Sequence, residues 1–362
     1  LRYAPLKANV TLSPTTRGSV ETAPATAAAV ASEAATSFAS ATARDFAATG
    51  VRSSFATSGD LGAAQPTNNA IETKREGASA FMTEALAEPR RLGQVRVVLP
   101  RVQAFEFNDH PRAPAALRAT IVEALSLALE WGGILRGLAP ALSEFLDRAG
   151  TRDVLDLGSG GGGPAKILAP LLRERGWTGT ITLTDLFPHP ARWSDLAAKD
   201  PSLRFEAASV DATAIPAELS RGRARTILNV LHHLPPAVAQ GVIEDAVRCR
   251  APLFIAEGFE RNPLRFLAFA PAGIPALFAT PLFASGNVAQ RVALTWLTPV
   301  ALACSVWDGV VSTLRVYSEA ELLGMVPASA DYDWRYGHYE FTPFGRGYYF
   351  FGLPKVAVPD AA

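Results

Sequence analysis

Val154 to Leu168 reads VLDLGSGGGGPAKIL, an apolar strand pattern carrying one acid, then a run of glycines, then a helical pattern opened by Pro164. Missing side chains let backbone N–H groups and a helix N-terminus approach a ligand closely. The stretch alone leaves three ligands open: a dinucleotide, a nucleoside triphosphate and a sulfonium nucleoside. Gly158, Gly160 and Gly163 satisfy the dinucleotide pattern G-x-G-x-x-G, a weak signal by itself. A triphosphate-binding loop is excluded, because no Lys-Ser or Lys-Thr pair follows and Lys166 lies beyond the turn.

Working outward from the glycines, strand-like and helical runs alternate. VLDLG is followed by PAKILAPLLRER, TITLTD, RFEAASVD, RTILNVL, a helix near 236–248 and PLFIAEG. Strands separated by helices predict right-handed crossovers and a mostly parallel sheet. YDWRYGHYEF and GYYFFGLPK, separated by TPFGR, read as an antiparallel hairpin at the sheet edge. Upstream, Leu117, Ile121, Leu125 and Leu129 recur at a spacing of four, with Val122 on the same face. Ile134, Leu135, Leu138, Leu142 and Leu146 continue after Gly132-Gly133, and Gly150 closes the helix. The expected fold is α/β: a Rossmann-like, mostly parallel seven-stranded sheet with an antiparallel C-terminal hairpin, helices on both faces and an N-terminal helical lid.

The 362 residues are 49% hydrophobic, enough for one large core or two modest ones. Lys+Arg and Asp+Glu balance at 34 each, so the chain lacks the basic footprint that nucleic acid requires. Cys249 and Cys304 have no metal or disulfide spacing and read as small core residues. His110, His189, His232, His233 and His338 make no ligand pattern, so no metal is expected. Residues 1–81 are rich in Ala, Ser and Thr and read as a disordered leader. A transit peptide is the alternative, opposed by Glu21, Glu33, Asp45 and Asp60; an over-extended gene start before Met82 is another. The expected division is leader 1–81, helical lid 82–150, core 151–355 with an apolar insertion 262–308, and a tail 356–362. The expected location is cytoplasmic, at the membrane surface if the insertion meets lipid, with organelle targeting by the leader left open.

The acids around the glycines narrow the ligand. Asp156 stands two residues before the first glycine, placed to meet a ligand's ammonium group. Asp185 ends TITLTD, where a carboxylate would bind two ribose hydroxyls. Asp211 in SVDATAIP is suited to an adenine amino group, or is the N-cap of a helix. NVLHHLPP follows the fourth strand.

In this order DLGSGGG, LTD, SVDA, NVLHHLPP and the closing hairpin resemble the class I S-adenosylmethionine (SAM) methyltransferases, small-molecule branch, over about residues 115–355. The resemblance implies that Asp156, Gly158, Ser159, Gly160 and Gly162 hold the methionine part of SAM. It places Asp185 and Leu186 at the ribose, Asp211 and Ala212 at the adenine, and Asn229 under the cofactor near its methyl. One departure is the start of the fourth strand, where the family carries an acid and this chain has Arg223 and Arg225.

Methyl transfer from a sulfonium is an in-line displacement, so the protein mainly aligns nucleophile and methyl. If the acceptor needs a base, the candidates are His233 and His232, with His338 and Glu257 behind them; His233 reads more readily as a packing histidine beside the loop than as a base. LHHLPP lacks the Asn and the aromatic of enzymes that methylate amide or adenine nitrogens. Between Arg265 and Arg291 there is no charge, and only Arg291 interrupts the run to Asp308. Pro271, Pro275, Pro281 and Pro299 argue against a straight spanning helix and for an interfacial or re-entrant hairpin. The insertion is expected to touch a membrane through 264–307 or cover a lipophilic acceptor; a plain cap over the pocket and a dimer interface are the alternatives. VYSEAELLGMV then has Ser318 and Glu321 at capping-box spacing. FEFNDHPRAP, before the first helix, reads as part of a lid, with Asp109 as the helix cap.

The expected function is transfer of a methyl group from SAM to a small, lipophilic acceptor. The competing readings are a nicotinamide-dependent oxidoreductase and a non-catalytic membrane-associated protein that keeps the fold.

Overall fold

The computed structural model describes residues 99–110 and 112–355. The leader, the first part of the expected lid and the tail lie outside those residues. β1 (Val154–Leu157), β2 (Ile181–Thr184), β3 (Leu203–Phe205), β4 (Ala224–Leu228) and β5 (Leu253–Glu257) are short, and all but β3 are buried along their whole length. That is the pattern of strands covered on both faces. β6 (Tyr332–Phe341) and β7 (Gly345–Pro354) are ten residues each. The seven strands run in the order β3-β2-β1-β4-β5-β7-β6. The first five pair in parallel, while β7 enters antiparallel between β5 and β6. The sheet is therefore the one expected.

α1 (Ala115–Trp131) and α2 (Ala139–Ala149) precede the sheet, and Gly150 ends α2 in the left-handed conformation, φ +64°. α3 (Gly163–Arg173), α4 (Pro190–Lys199), a single turn α5 (Ala217–Ser220) and α6 (Pro236–Arg248) are the crossovers. One continuous apolar core joins α2, α3, α6 and the sheet. The departure at β4 has a plain account. Arg225, fully buried, donates to Asp245 Oδ2 of α6 (2.7 Å) and to Ser220 Oγ (2.8 Å), so an ion pair stands where the family has an acid.

The insertion is helical throughout. A 3₁₀ segment Pro263–Phe269 leads into α7 (Ala270–Phe283); α8 (Val288–Val292), a π turn Ala293–Leu297 and α9 (Val300–Arg315) follow. Two expectations change here. Pro275 and Pro281 lie inside α7 without ending it, because packing against α1 offsets the backbone bonds they remove. The boundary expected at Asp308 falls in mid-helix: α9 continues to Arg315, since both charges are buried against residues 99–110 and no longer mark a surface. Pro299 does break the second apolar run, just before α9. Ala116, Leu117, Ile121 and Ala124 of α1 join Leu277, Leu294, Ala301 and Cys304 in a second apolar cluster. Leu125 and Val122, expected in the core, are partly exposed, and Leu125 lines a cavity instead. α10 (Glu319–Met325) begins with the expected Ser318–Glu321 capping box.

Candidate active site

The glycine turn joins β1 to α3 with three left-handed residues: Gly158 (φ +65°), Gly160 (+51°) and Gly162 (+76°). They are bare for different reasons. A Cβ on Gly158 would lie 2.8 Å from Val230 Cγ1, and one on Gly162 2.6 Å from Leu196 Cδ1, so packing forbids both. A Cβ on Gly160 would meet nothing within 4 Å, so that position faces open space, as a ligand cradle must.

The acids brace this turn. Asp156 is buried, with Oδ2 accepting from Ser159 Oγ (2.7 Å) and Oδ1 from Thr226 Oγ1 (2.7 Å). Burial pushes its carboxyl up to about 6 against those two hydrogen bonds. Both oxygens thus serve the interior, and Asp156 acts on the turn through Ser159 rather than opening onto a ligand. Asp185 accepts the Gly160 N–H at Oδ2 and the Phe187 N–H at Oδ1, each at 2.8 Å, while Leu186 and Phe187 beside it are exposed. Asp211 is exposed, and its Oδ1 accepts from the N–H and the hydroxyl of Thr213 (2.8 and 2.7 Å). Here it caps a turn, not a helix; its Oδ2 takes neither bond. The Val210 N–H donates to the Asp185 carbonyl (2.9 Å), which holds the two acidic loops together, and Ala212 is half-buried beside them.

Asn229 ends β4 in the left-handed region at φ +57°, and its Oδ1 accepts the Gly258 N–H at 2.6 Å. It lines the wall of a cavity of ≈ 280 Å³ that reaches from there between α1, α7 and α9. The walls are mostly apolar, with Leu125, Phe259, Phe266, Ile274 and Val306 among them, and His232 and His233 stand beside Asn229.

The two histidines differ sharply. His232 is buried, its Nδ1 is 2.8 Å from Glu257 Oε2, and its backbone N–H donates to Glu257 Oε1. Burial lowers the imidazole to about 3 and raises the carboxyl to about 8, so the charged forms of both are disfavoured. His232 meets the cavity beside Asn229. It packs on His233 with ring centroids 4.0 Å apart. His233 is half-buried, with Nδ1 2.9 Å from Asp109 Oδ2 and 3.3 Å from Glu106 Oε2.

Asp109 is therefore not the cap of α1, whose N-cap is Pro114. Burial would raise the Asp109 carboxyl, but the His233 and Arg315 hydrogen bonds outweigh it and hold it at about 2. Residues 99–110 form a strap clamped onto α9. Asp308 accepts the N–H groups of Phe107 and Asn108 (2.7 and 3.0 Å), and Ser312 donates to Glu106 (2.8 Å). Arg315 donates to the Ala104 carbonyl and to Asp109 (3.1 Å). Burial lifts the Asp308 carboxyl to about 6 despite its two donors.

Glu106, Asp308 and Arg315 were missed from the sequence; acids within the aromatic run FEFND, and two charges seven apart on one helix face, were the available signals. Glu106, His232 and His233 bring ligand atoms within 4.8 Å of one another, close enough for a metal ion, which the sequence gave no reason to expect. The Arg315 Nη1, 3.2 Å from Glu106 Oε2, already supplies positive charge there.

The strand order with its antiparallel β7, the glycine turn after β1 and the acids after β2 and β3 define the class I methyltransferase fold, and this chain has it. Among solved structures, the chain is similar to magnesium protoporphyrin IX methyltransferase from Synechocystis PCC 6803 with bound SAM (13% identity, 61% of this chain, 80% of that one, TM-score 0.34). It is also similar to the plantazolicin methyltransferase BpumL in complex with SAH (9%, 66% and 98%, TM-score 0.37). A third is an O-methyltransferase family protein from Burkholderia thailandensis (15%, 67% and 61%, TM-score 0.38). No family model and no curated protein matches the sequence.

Proposed function

We propose that this chain transfers a methyl group from SAM to a hydroxyl of a small, lipophilic molecule. The observation that carries the reading is His233, held at Nδ1 by Asp109, on the wall of an apolar cavity that begins at Asn229. The residues present fit SAM: open space at Gly160, acids at Asp185 and Asp211 for hydroxyl and amino donors, and exposed apolar Leu186 and Phe187 beside them for a flat base. When bound, SAM supplies an electrophilic methyl. The chain's own residues do the rest. The glycine turn and Asp185 fix the cofactor side, and the cavity walls orient the acceptor and exclude water. His233 takes the hydroxyl proton at Nε2, while Asp109 keeps the ring in the tautomer whose Nε2 is free. A nicotinamide reading is disfavoured by β7, which runs antiparallel where a second crossover half would continue in parallel.

The test is incubation with methyl-labelled SAM and fractionated cell lipids and metabolites, with mass spectrometry of whatever carries the label. A labelled, apolar, alkali-stable ether supports the reading. Binding of NAD but not SAM would overturn it, and SAM binding with no label in any fraction would favour a non-catalytic protein.

Contact with a lipid surface is part of the same proposal. One helix among the described residues, Pro263–Phe283, is long and apolar enough to cross a membrane. The observation favouring a surface contact is that Leu267, Ile274 and Val306 line the cavity and are also exposed, beside exposed Leu264 (76%), Leu282 (71%) and Leu297 (74%). The full chain should float with phosphatidylcholine liposomes, and Leu264→Asp with Leu282→Asp and Leu297→Asp should stay behind. Equal flotation of the two proteins would remove the surface from the proposal.

A further inference from the structure

The far end of the cavity holds a polar atom that nothing in the fold uses. Leu302, Ser305, Val306, Gly309 and Ser312 line the cavity from one face of α9. At Gly309 the Phe266 ring closes in so far that a Cβ would lie 1.8 Å from Phe266 Cζ, which leaves an apolar waist in mid-cavity. Several polar groups of the lining near His233 are engaged. Asn229 Oδ1 takes the Gly258 N–H, Asp308 takes two backbone N–H groups, Ser312 donates to Glu106, and both histidines are paired through Nδ1. Ser305 Oγ differs: it is fully buried and without a hydrogen-bond partner, the one such lining atom among the described residues.

We propose that Ser305 binds a second oxygen of the acceptor, so that the substrate is an apolar alcohol or phenol with two hydrogen-bonding ends. This rests on the cavity being the acceptor site. The spacing follows from the helix. Ser305 and Ser312 are two turns apart, about 10 Å along α9. Ser312 stands at the end where Glu106 and Arg315 gather around Asp109 and His233. One hydroxyl lies at His233 and loses its proton there; the other oxygen lies about 10 Å away at Ser305, with Phe266, Leu302 and Val306 around the apolar middle. An acceptor apolar at that end leaves the buried Ser305 hydroxyl unsatisfied, so the site discriminates by what it would strand.

The experiment compares 4-(3-hydroxypropyl)phenol with the isosteric 4-butylphenol on wild type, Ser305→Ala and Ser305→Thr. It reads kcat/KM with labelled SAM and, separately, the dissociation constant of each phenol by calorimetry. The ratio of hydroxypropyl to butyl probe should fall about fivefold in Ser305→Ala, the worth of one neutral hydrogen bond, and recover in Ser305→Thr. A ratio unmoved by Ser305→Ala overturns the assignment while leaving methyl transfer intact. If neither phenol is methylated but the binding ratio still falls, Ser305 stands and the methyl-transfer reading fails. Binding of neither phenol to wild type would overturn the two-ended acceptor.

Discussion

The glycine turn and the apolar cavity, which the proposed function makes the cofactor side and the acceptor side of one site, are held by different forces. At the glycine turn, positions are fixed by left-handed backbone, N–H groups on Asp185 and the side-chain brace Asp156–Ser159–Thr226, all on β1, β4 and the loops after β1 and β2. At the cavity, three segments distant in the chain (the strap 99–110, the Leu231–His233 turn and α9) are joined by charged side chains in a partly buried setting. The first arrangement tolerates little change of shape; the second tolerates little change of charge.

The largest effect should come from the acceptor side. His233→Ala should lower methyl transfer about 10²–10⁴-fold, as loss of a general base does, while equilibrium dialysis finds SAM bound as in wild type. Loss of SAM binding in that variant would merge the two sides and break the contrast. Arg315→Met should cost on the order of 3 kcal/mol in urea unfolding, because it takes the guanidinium away from the buried Glu106 carboxyl. Hydrogen exchange should then rise over residues 101–110 and stay unchanged at the glycine turn.

Glu257 tests the floor between the two sides. Its folded carboxyl titrates at about 8 against an unfolded value near 4.5, so the folded chain binds the extra proton within that window. His232, held at about 3 against an unfolded value near 6.5, offsets this below about 6.5, so the pair should lower stability as pH rises from about 6.5 to 8, by on the order of 2 kcal/mol, and level off above. Glu257→Gln should flatten that slope in urea titrations at pH 6.5 and 8.5; an unaltered slope would place the proton elsewhere. The smallest effect should be Gly160→Ala. Its Cβ meets no protein atom, so the cost to folding is the left-handed strain of about 1–2 kcal/mol. SAM affinity should fall about tenfold or more, which distinguishes open space reserved for a ligand from space merely left over.

The contrast also explains what could be read from residues. The sheet, the glycine turn, the Ser318–Glu321 box and the hairpin follow from local patterns of apolar period, glycine and capping, so they were legible. Asp109 and Asp308 were not, because their partners lie 124 and about 200 residues away and no local rule pairs them. Asp156 was legible in position but not in direction: the sequence shows an acid beside the glycines, while the hydroxyls of Ser159 and Thr226 turn it inward. Leu125 went astray for a related reason, since a helical apolar stripe does not say whether it faces a core or a cavity.

One consequence of the antiparallel seventh strand concerns the order of synthesis. β7 seals the side of β5 that carries the floor of the site, with Tyr348 opposite Glu257 and fully buried. Until about residue 354 has cleared the ribosome, β5 is an unpaired edge and the His232–Glu257 pair lacks its cover. The cofactor turn can thus assemble from strands that leave the ribosome early, while the cover over Glu257 waits for β7, the last strand among the described residues.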